Sequence, residues 1–487
     1  MPAIITDKFR IHNSEQFHEA FSESSGNTFY LGIGRPQTFA TSTRADSRTN
    51  NEGSDSAPVT PADNVNSQFY PFDDLLAAKK IASTDITFAI PRRNWTTSTT
   101  YDIYRHDYGE RITGTSTAQT ANSGASTLHD STFYVLTGAR NVYKCLDNNN
   151  NGASTVEPTG TNASEILSTA DGYKWKYMYT LSASEQSNFL STDFMPVSTN
   201  TSVSSNAVDG AIDIIKIKTA GSGGTDGTHT NIDIRGDGSG GKVSVTVTSG
   251  AVTAVTVTTA GTGYTFATIS NAQIVAAGAT NLVGAELDVI IPPKGGHGFN
   301  AIEEIGAFFV MTNTSLEGTE SANSGDVSVA NDFRRVCMIK DPNSGGSAAS
   351  ASTLRATSAI KLTGVSGSFA IDDKITQATT GAIGKVVEWD STNAILYYVQ
   401  TRHSNEGIDT NGNKVAFSAA NVISGATSGS ATPDTSHSAT TNNVVFNSGY
   451  SVPELDHDSG DVLYVENRAP ITRAADQTEN IKLIIEF

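Results

Sequence analysis

Apolar positions along this chain fall mostly into short runs of period two, separated by Gly-, Ser-, Thr- and Asn-rich stretches. The clearest run is Asp171 to Thr180. There Tyr173, Trp175, Tyr177 and Tyr179 point one way and Lys174, Lys176 and Met178 the other, the alternation of a strand. Thr28–Ile33 and Thr87–Ile90 read as strands, the latter stopped by Pro91. Phe133–Leu136 and Val142–Leu146 read as a hairpin around Gly138. Ile481, Leu483, Ile485 and Phe487 line one face of a further strand, opposite Lys482, Ile484 and Glu486. Before it, Glu466-Asn467-Arg468 with Pro470 reads as a polar turn with a rigid stop. Helical spacing is rarer. Asn13 or Ser14 can cap a helix carrying Phe17, Ala20 and Phe21 on one face. Phe72, Leu75 and Leu76 suggest a second, and Ser182-Ala183-Ser184-Glu185 is a capping box for a third. Residues 41–68 and 96–127 read as polar loops.

Two regions are internally duplicated. Ile214–Gly223 recurs as Val255–Gly263, and Gly240–Val245 as Val283–Asp288. Val243, Val245 and Val247 alternate up to a Ser249-Gly250 turn, a hairpin signature. Later, Phe369, Asp373, Ile375, Thr379 and Gly381 find equivalents at Phe417, Asn421, Ile423, Thr427 and Gly429. The strand pair 385–389 and 394–399 lies between these copies. Two copies are too few for a solenoid, so both regions read as compact β insertions. Ser/Gly/Ala-rich flanks such as Asn343–Ser352 read as joints. The expected organisation is a β-sandwich core over residues 1–210, 296–345 and 441–487. Small β modules are inserted at 211–295 and 346–440. The fold class is mainly β, a multi-layer β-sandwich core with a few short helices and two inserted modules.

Composition supports this reading. Only 37% of the 487 residues are hydrophobic and 17% charged, and the remainder favours turns and strands. A net charge of −18 without a Lys/Arg run argues against nucleic acid as a partner. The two cysteines, Cys145 and Cys337, lie in apolar contexts and read as buried, reduced thiols. The first residues, Met1-Pro2-Ala3-Ile4-Ile5-Thr6-Asp7, lack the pattern of a signal peptide. No run approaches a membrane span. Synthesis in a cytoplasm and no membrane insertion are expected.

Candidate chemistry is thin. Gly236–Gly241 matches GxGxxG, but a Val/Thr strand follows where a phosphate cradle needs a helix, so it reads as a turn. Asp147–Gly152 resembles half of a calcium loop. Pro158 holds the place of the bidentate Glu, with Glu157 one residue early, so a polar hairpin loop is the better reading. His297, in Gly295-Gly296-His297-Gly298, is expected to hydrogen-bond across a tight turn. Neither a catalytic residue nor a cofactor or metal site is nominated. The Tyr173–Tyr179 stripe reads as core or interface before sugar platform. In Pro91-Arg92-Arg93-Asn94-Trp95, Arg and Trp are preferred interface anchors.

At these residues the chain resembles a family. Ile90–Trp95 is similar to a motif of the dimeric baseplate wedge subunit, "protein 8", of T-even-like contractile-tailed phages. Four more stretches agree in the same order: Thr6–Arg10, Val142–Asp147, Asp171–Tyr179, and Tyr464–Ile471 leading to Asp476–Glu479 and the closing β stretch. Ala469 and Asn94 depart from the pattern, where a Pro and an Asp are expected. The two duplicated regions lie outside the resemblance. It implies a non-enzymatic structural subunit of the virion tail baseplate, homodimeric, joining other wedge subunits and rearranging on host contact. Interface or structural candidates are Arg92, Arg93, Trp95, Trp175, Tyr177, Glu466, Asn467 and Arg468. The alternative is a receptor- or carbohydrate-binding tail module. A polysaccharide hydrolase is a third reading, for which no carboxylate pair can be named.

Overall fold

A computed structural model describes residues 4–23, 26–43, 49–111, 117–319, 327–328, 330–401, 406–473 and 478–487. Met1 to Ala3, and Asp476-Gln477 of the C-terminal motif, lie outside them. The chain is mainly β with a few short helices. It forms two compact units. The first comprises residues 1–16, 87–311 and 484–487, the second 17–86 and 312–483.

The first unit is built on two sheets. One orders Ile166–Ser168, Tyr173–Thr180, Asn141–Asn148 and Tyr134–Leu136, all antiparallel. It encloses a core of Tyr101, Tyr143, Cys145, Tyr173, Trp175 and Tyr177. The hairpin and the aromatic strand fall where their patterns predict. The other sheet contains Phe194–Pro196 beside Ile86–Pro91. Ala89, Phe189 and Met311 form a small core with Ile484 packed against it. Helix Ala183–Phe189 begins with the expected box: Ser182 Oγ accepts from Glu185 N at 3.2 Å, and Glu185 Oε2 from Ser182 N at 2.7 Å.

The first duplicated region also belongs to this unit, and its copies trade partners. Ile215–Ser222 of copy one pairs with Val283–Val289 of copy two. Lys242–Thr248 of copy one pairs with Ala251–Thr259 of copy two. The register slips between Ile217 and Thr219, and again between their equivalents Val257 and Thr259. Gly221 (φ 69°) and Gly261 (φ 70°) share the left-handed conformation. A Cβ at either would strike the facing strand, at Val283 O or Ser239 O. This geometry aligns Gly240 with Gly284, one position away from the sequence alignment.

In the second unit a five-stranded sheet orders Thr353–Arg355, Leu75–Lys80, Phe29–Gly34, Phe333–Lys340 and Asp461–Ile471. Inner strands here are buried on both faces, so their sequences show no alternation, and Phe333–Lys340 buries Arg334 and Arg335 among its apolar residues. This corrects one helix. The helical elements are Val65–Phe69, capped by Asn64, and a single tight turn Tyr70–Asp73; Leu75 and Leu76 begin a strand. Helix Asp7–Glu19 also starts earlier than expected. Thr6 caps it at Phe9 N, and Ser14 lies inside it, donating to Ile11 O and Ala307 O. Residues 41–68 are not all loop: Thr41–Thr43 pairs with Thr49–Asn51, and Gly53–Ser54 with Ala57–Pro58.

The second duplicated region closes into a six-stranded barrel. The circuit runs Ser358–Ser366, Ile395–Val399, Ala382–Asp390, Lys374–Gln377, Ile423–Gly425, Ser430–Pro433 and back to Ser358–Ser366. Here too the copies serve each other. Asp373 of copy one accepts from Thr427 N and Oγ1 of copy two, and Phe369 packs over Gly429.

Candidate functional site

Arg92, Arg93 and Trp95 follow strand Ile86–Pro91 and are stitched to the end of Tyr134–Leu136 in the other sheet. Leu136 N donates to Arg93 O, and Trp95 N to Leu136 O. Both guanidiniums serve this unit. Arg93 donates to the carbonyls of Ser131 and Asp130 and lies 4.6 Å from the Tyr134 ring centroid. Arg92 donates to Ser191 O at 2.7 Å and Asn94 Oδ1 at 2.9 Å. Trp95 Nε1 donates to Ser154 Oγ, and its ring packs against the aromatic core that holds Trp175 and Tyr177. Five nominated residues, Arg92, Arg93, Trp95, Trp175 and Tyr177, are thus brought into one unit. Trp175 is buried and stacked on Tyr173, with ring centroids 5.3 Å apart. Its Nε1 finds no partner among the described residues. Tyr177 bonds Thr180 Oγ1 at 2.6 Å.

The opposite face of that strand is buried as well, although it carries lysines. Lys176 reaches Ala163 O at 2.9 Å. On the adjacent strand Lys144 has no exposure and pairs with Glu304. Glu304 sits in the short helix Ala301–Ile305, whose cap is Asn300, and also accepts from Gly298 N at 2.8 Å and Asn300 N at 3.2 Å. Burial lowers the Lys144 pKa against the opposing pull of Glu304. The Asp213 carboxyl, close enough to feel Lys176, Lys144 and Lys174, is raised by burial. Burial, then the charges of Lys144 and Lys176, drive His297 well below the usual imidazole range, so the ring is neutral. His297 makes no hydrogen bond across its turn, contrary to expectation. It meets Tyr104 edge-on at 4.9 Å, and its Nδ1 has no partner among the described residues. Sequence reasoning singled out His297 from its glycines. It missed Lys144 and Glu304, whose only signals are a Lys inside an apolar strand and a carboxylate four residues after Asn300.

The two remaining motif candidates resolve into ordinary loops. Asn149, Asn150 and Asn151 turn the chain in the left-handed region, and Asp147 Oδ1 is held by Lys216 at 2.8 Å. Asp237 accepts from Thr265 N and Phe266 N, and a strand follows. Cys145 and Cys337 are buried free thiols. Among the described residues no His/Cys/Asp/Glu group could hold a metal ion, and no helix is long and apolar enough to cross a membrane.

Glu466, Asn467 and Arg468 belong to the second unit and are not brought to the others. Instead of a turn, they lie within the continuous strand Asp461–Ile471 at the end of the five-stranded sheet. An end strand tolerates Pro470 because one of its edges needs no ladder donor. The register slips there, pairing Phe333 with Ile471 and Arg335 with Asn467. Asn467 accepts from Arg335 Nε at 3.0 Å and donates to Val59 O at 3.0 Å; Glu466 accepts from Tyr464 Oη at 2.8 Å. Behind them Arg335 and Arg35 converge on the fully buried Asp74. A cavity of about 280 Å³ opens beside Arg335, Val465 and Asn467.

The Arg92–Trp95 crossing and the strands Asn141–Asn148 and Asp461–Ile471 fall inside the segments that a family model described as Bacteriophage T4, Gp8 matches, residues 3–156 and 412–487, whereas Asp171–Tyr179 falls outside them. Over these two segments the chain matches the phage Gp8 family. The first Gp8 segment carries helix Asp7–Glu19, the Arg92–Trp95 crossing and the hairpin; the second carries Asp461–Ile471 and Thr478–Glu486. Residues 157–411 lie outside the matched segments. The match implies a structural protein of the phage baseplate, at the virion tail. No curated protein matches it.

Proposed function

We propose that this chain is a baseplate wedge subunit of a contractile tail that forms a homodimer, joins other wedge proteins during assembly and takes part in the host-triggered rearrangement. The Gp8-family match carries the reading. The role is non-catalytic, with synthesis in the host cytoplasm. Residues 1–210, 296–345 and 441–487 would form the family core, with 211–295 and 346–440 as insertions. Arg92, Arg93, Trp95, Trp175 and Tyr177 would then brace the core from within, while Glu466, Asn467 and Arg468 would offer a strand edge to partners. Obligate interfaces often bury more than about 2,000 Å², so the dimer should survive dilution. Mass photometry of the full chain at nanomolar concentration should show the dimer, and a purely monomeric population would overturn the proposal.

A further inference from the structure

The buried polar cluster of the first unit opens onto a cavity of about 410 Å³, lined among others by Ser164, Lys176, Asn206, Val208, Asp213 and His297. That volume lies in the range of small-molecule sites, roughly 300–1,000 Å³. Two of its groups are unsatisfied within the protein. His297 is 6% exposed and makes no hydrogen bond among the described residues. Asp213 likewise makes none, and it is half-buried. An unpaired buried polar atom is unfavourable. Both residues line one space.

The chemistry of the lining selects the occupant. Of the charged groups, Lys176, Asp213 and Glu165 line the cavity, while Lys144 pairs with Glu304 and is not part of the lining. An anion would meet the carboxylates of Asp213 and Glu165, and a cation would meet the Lys176 ammonium. What the cavity offers is a donor at Lys176, an acceptor at Asp213, and a neutral imidazole that both donates and accepts. A hydroxyl has that same dual character. We propose that this cavity binds a neutral polyhydroxylated ligand, the end of a saccharide, through Asp213, Lys176 and His297. This goes beyond the wedge role and does not depend on it.

The test is saturation-transfer NMR on the full-length protein. Glucose, galactose and N-acetylglucosamine are the sugar probes, and sulfate and ethylammonium, followed by competition, the ionic ones. At least one sugar should bind saturably, with a dissociation constant on the order of 1 mM. Asp213→Ala should weaken binding about tenfold or more. Ser164→Trp, at an exposed rim position, should abolish it by filling the mouth, and it guards against misfolding of the Asp213 variant. Asn122→Ala, in a separate polar cavity, should bind as the parent does. Binding of the ionic probes alone, silence across the three sugars, or loss of binding with Asn122→Ala but not with Ser164→Trp would each overturn the proposal.

Discussion

Lys144 pairs with Glu304 where neither side chain reaches solvent. Truncating one partner leaves a buried charge uncompensated, which typically costs about 3–5 kcal/mol. Lys144→Ala should therefore lower the unfolding free energy by about that much in urea titrations. Lys8→Ala, removing a pair with exposed Glu303, should change it by about 0–1 kcal/mol. Asp171 gives a pH signature. Burial pulls its pKa up, but hydrogen bonds from Thr169, Val156, Thr155 and Tyr173 outweigh that and hold it at about 2. A depressed carboxylate stabilises the fold above its unfolded pKa of about 4, and the contribution is lost as pH falls through the folded value. The fall in denaturation midpoint between pH 4 and pH 2 should thus be shallower in Asp171→Asn. The sequence held the identity of such residues but not their partners. The pattern of Asp171–Thr180 set its lysines opposite the aromatic residues, and alternation reports only which side of the strand a residue takes. It says nothing of whether a second layer covers that side.

Among elements, the strand Thr478–Glu486 is anchored at several points. Ile481 and Leu483 are buried, Ile484 packs against Ala89, Phe189 and Met311, and Arg10 holds Glu486 and the Phe487 carbonyl. Losing one buried Leu or Ile side chain typically costs about 2–5 kcal/mol. A chain truncated after Asn480 should be recovered only in the insoluble fraction; a soluble truncated dimer would show the strand to be dispensable. Its alternation was legible at Ile481 and Leu483, while Ile484, on the face that looked charged, also meets a core. Asp461–Ile471 was misread as a turn because Glu466, Asn467, Arg468 and Pro470 are turn formers locally. Pairing with Phe333–Lys340, a contact more than a hundred residues away, overrides that preference. Leu75–Lys80 was misread for a related reason: burial on both faces erased the period that would have marked it a strand.

At the scale of the molecule, the duplications were legible from their repeating residues, but the strand exchange within them was not. Periodicity identifies equivalent segments without saying which will pair. The first module leaves and re-enters through adjacent strands: Ile215 faces Val289, and Ile290 N bonds Ile214 O at 3.1 Å. Replacing residues 215–289 by a Gly-Ser link should therefore leave a soluble chain with the parent oligomeric state, checked by size-exclusion chromatography with light scattering. Aggregation would show the module to be integral. In the first module each sheet combines strands of both copies, and in the barrel the two copies close a single ring. One copy alone would present half a sheet and raw edges. A single copy would have to find its complement on a second polypeptide, so duplication within one chain replaces an association between chains by one within a chain. The same logic makes these modules candidates for splitting: a cut between the copies should yield two fragments that are unfolded apart and restore the module when mixed.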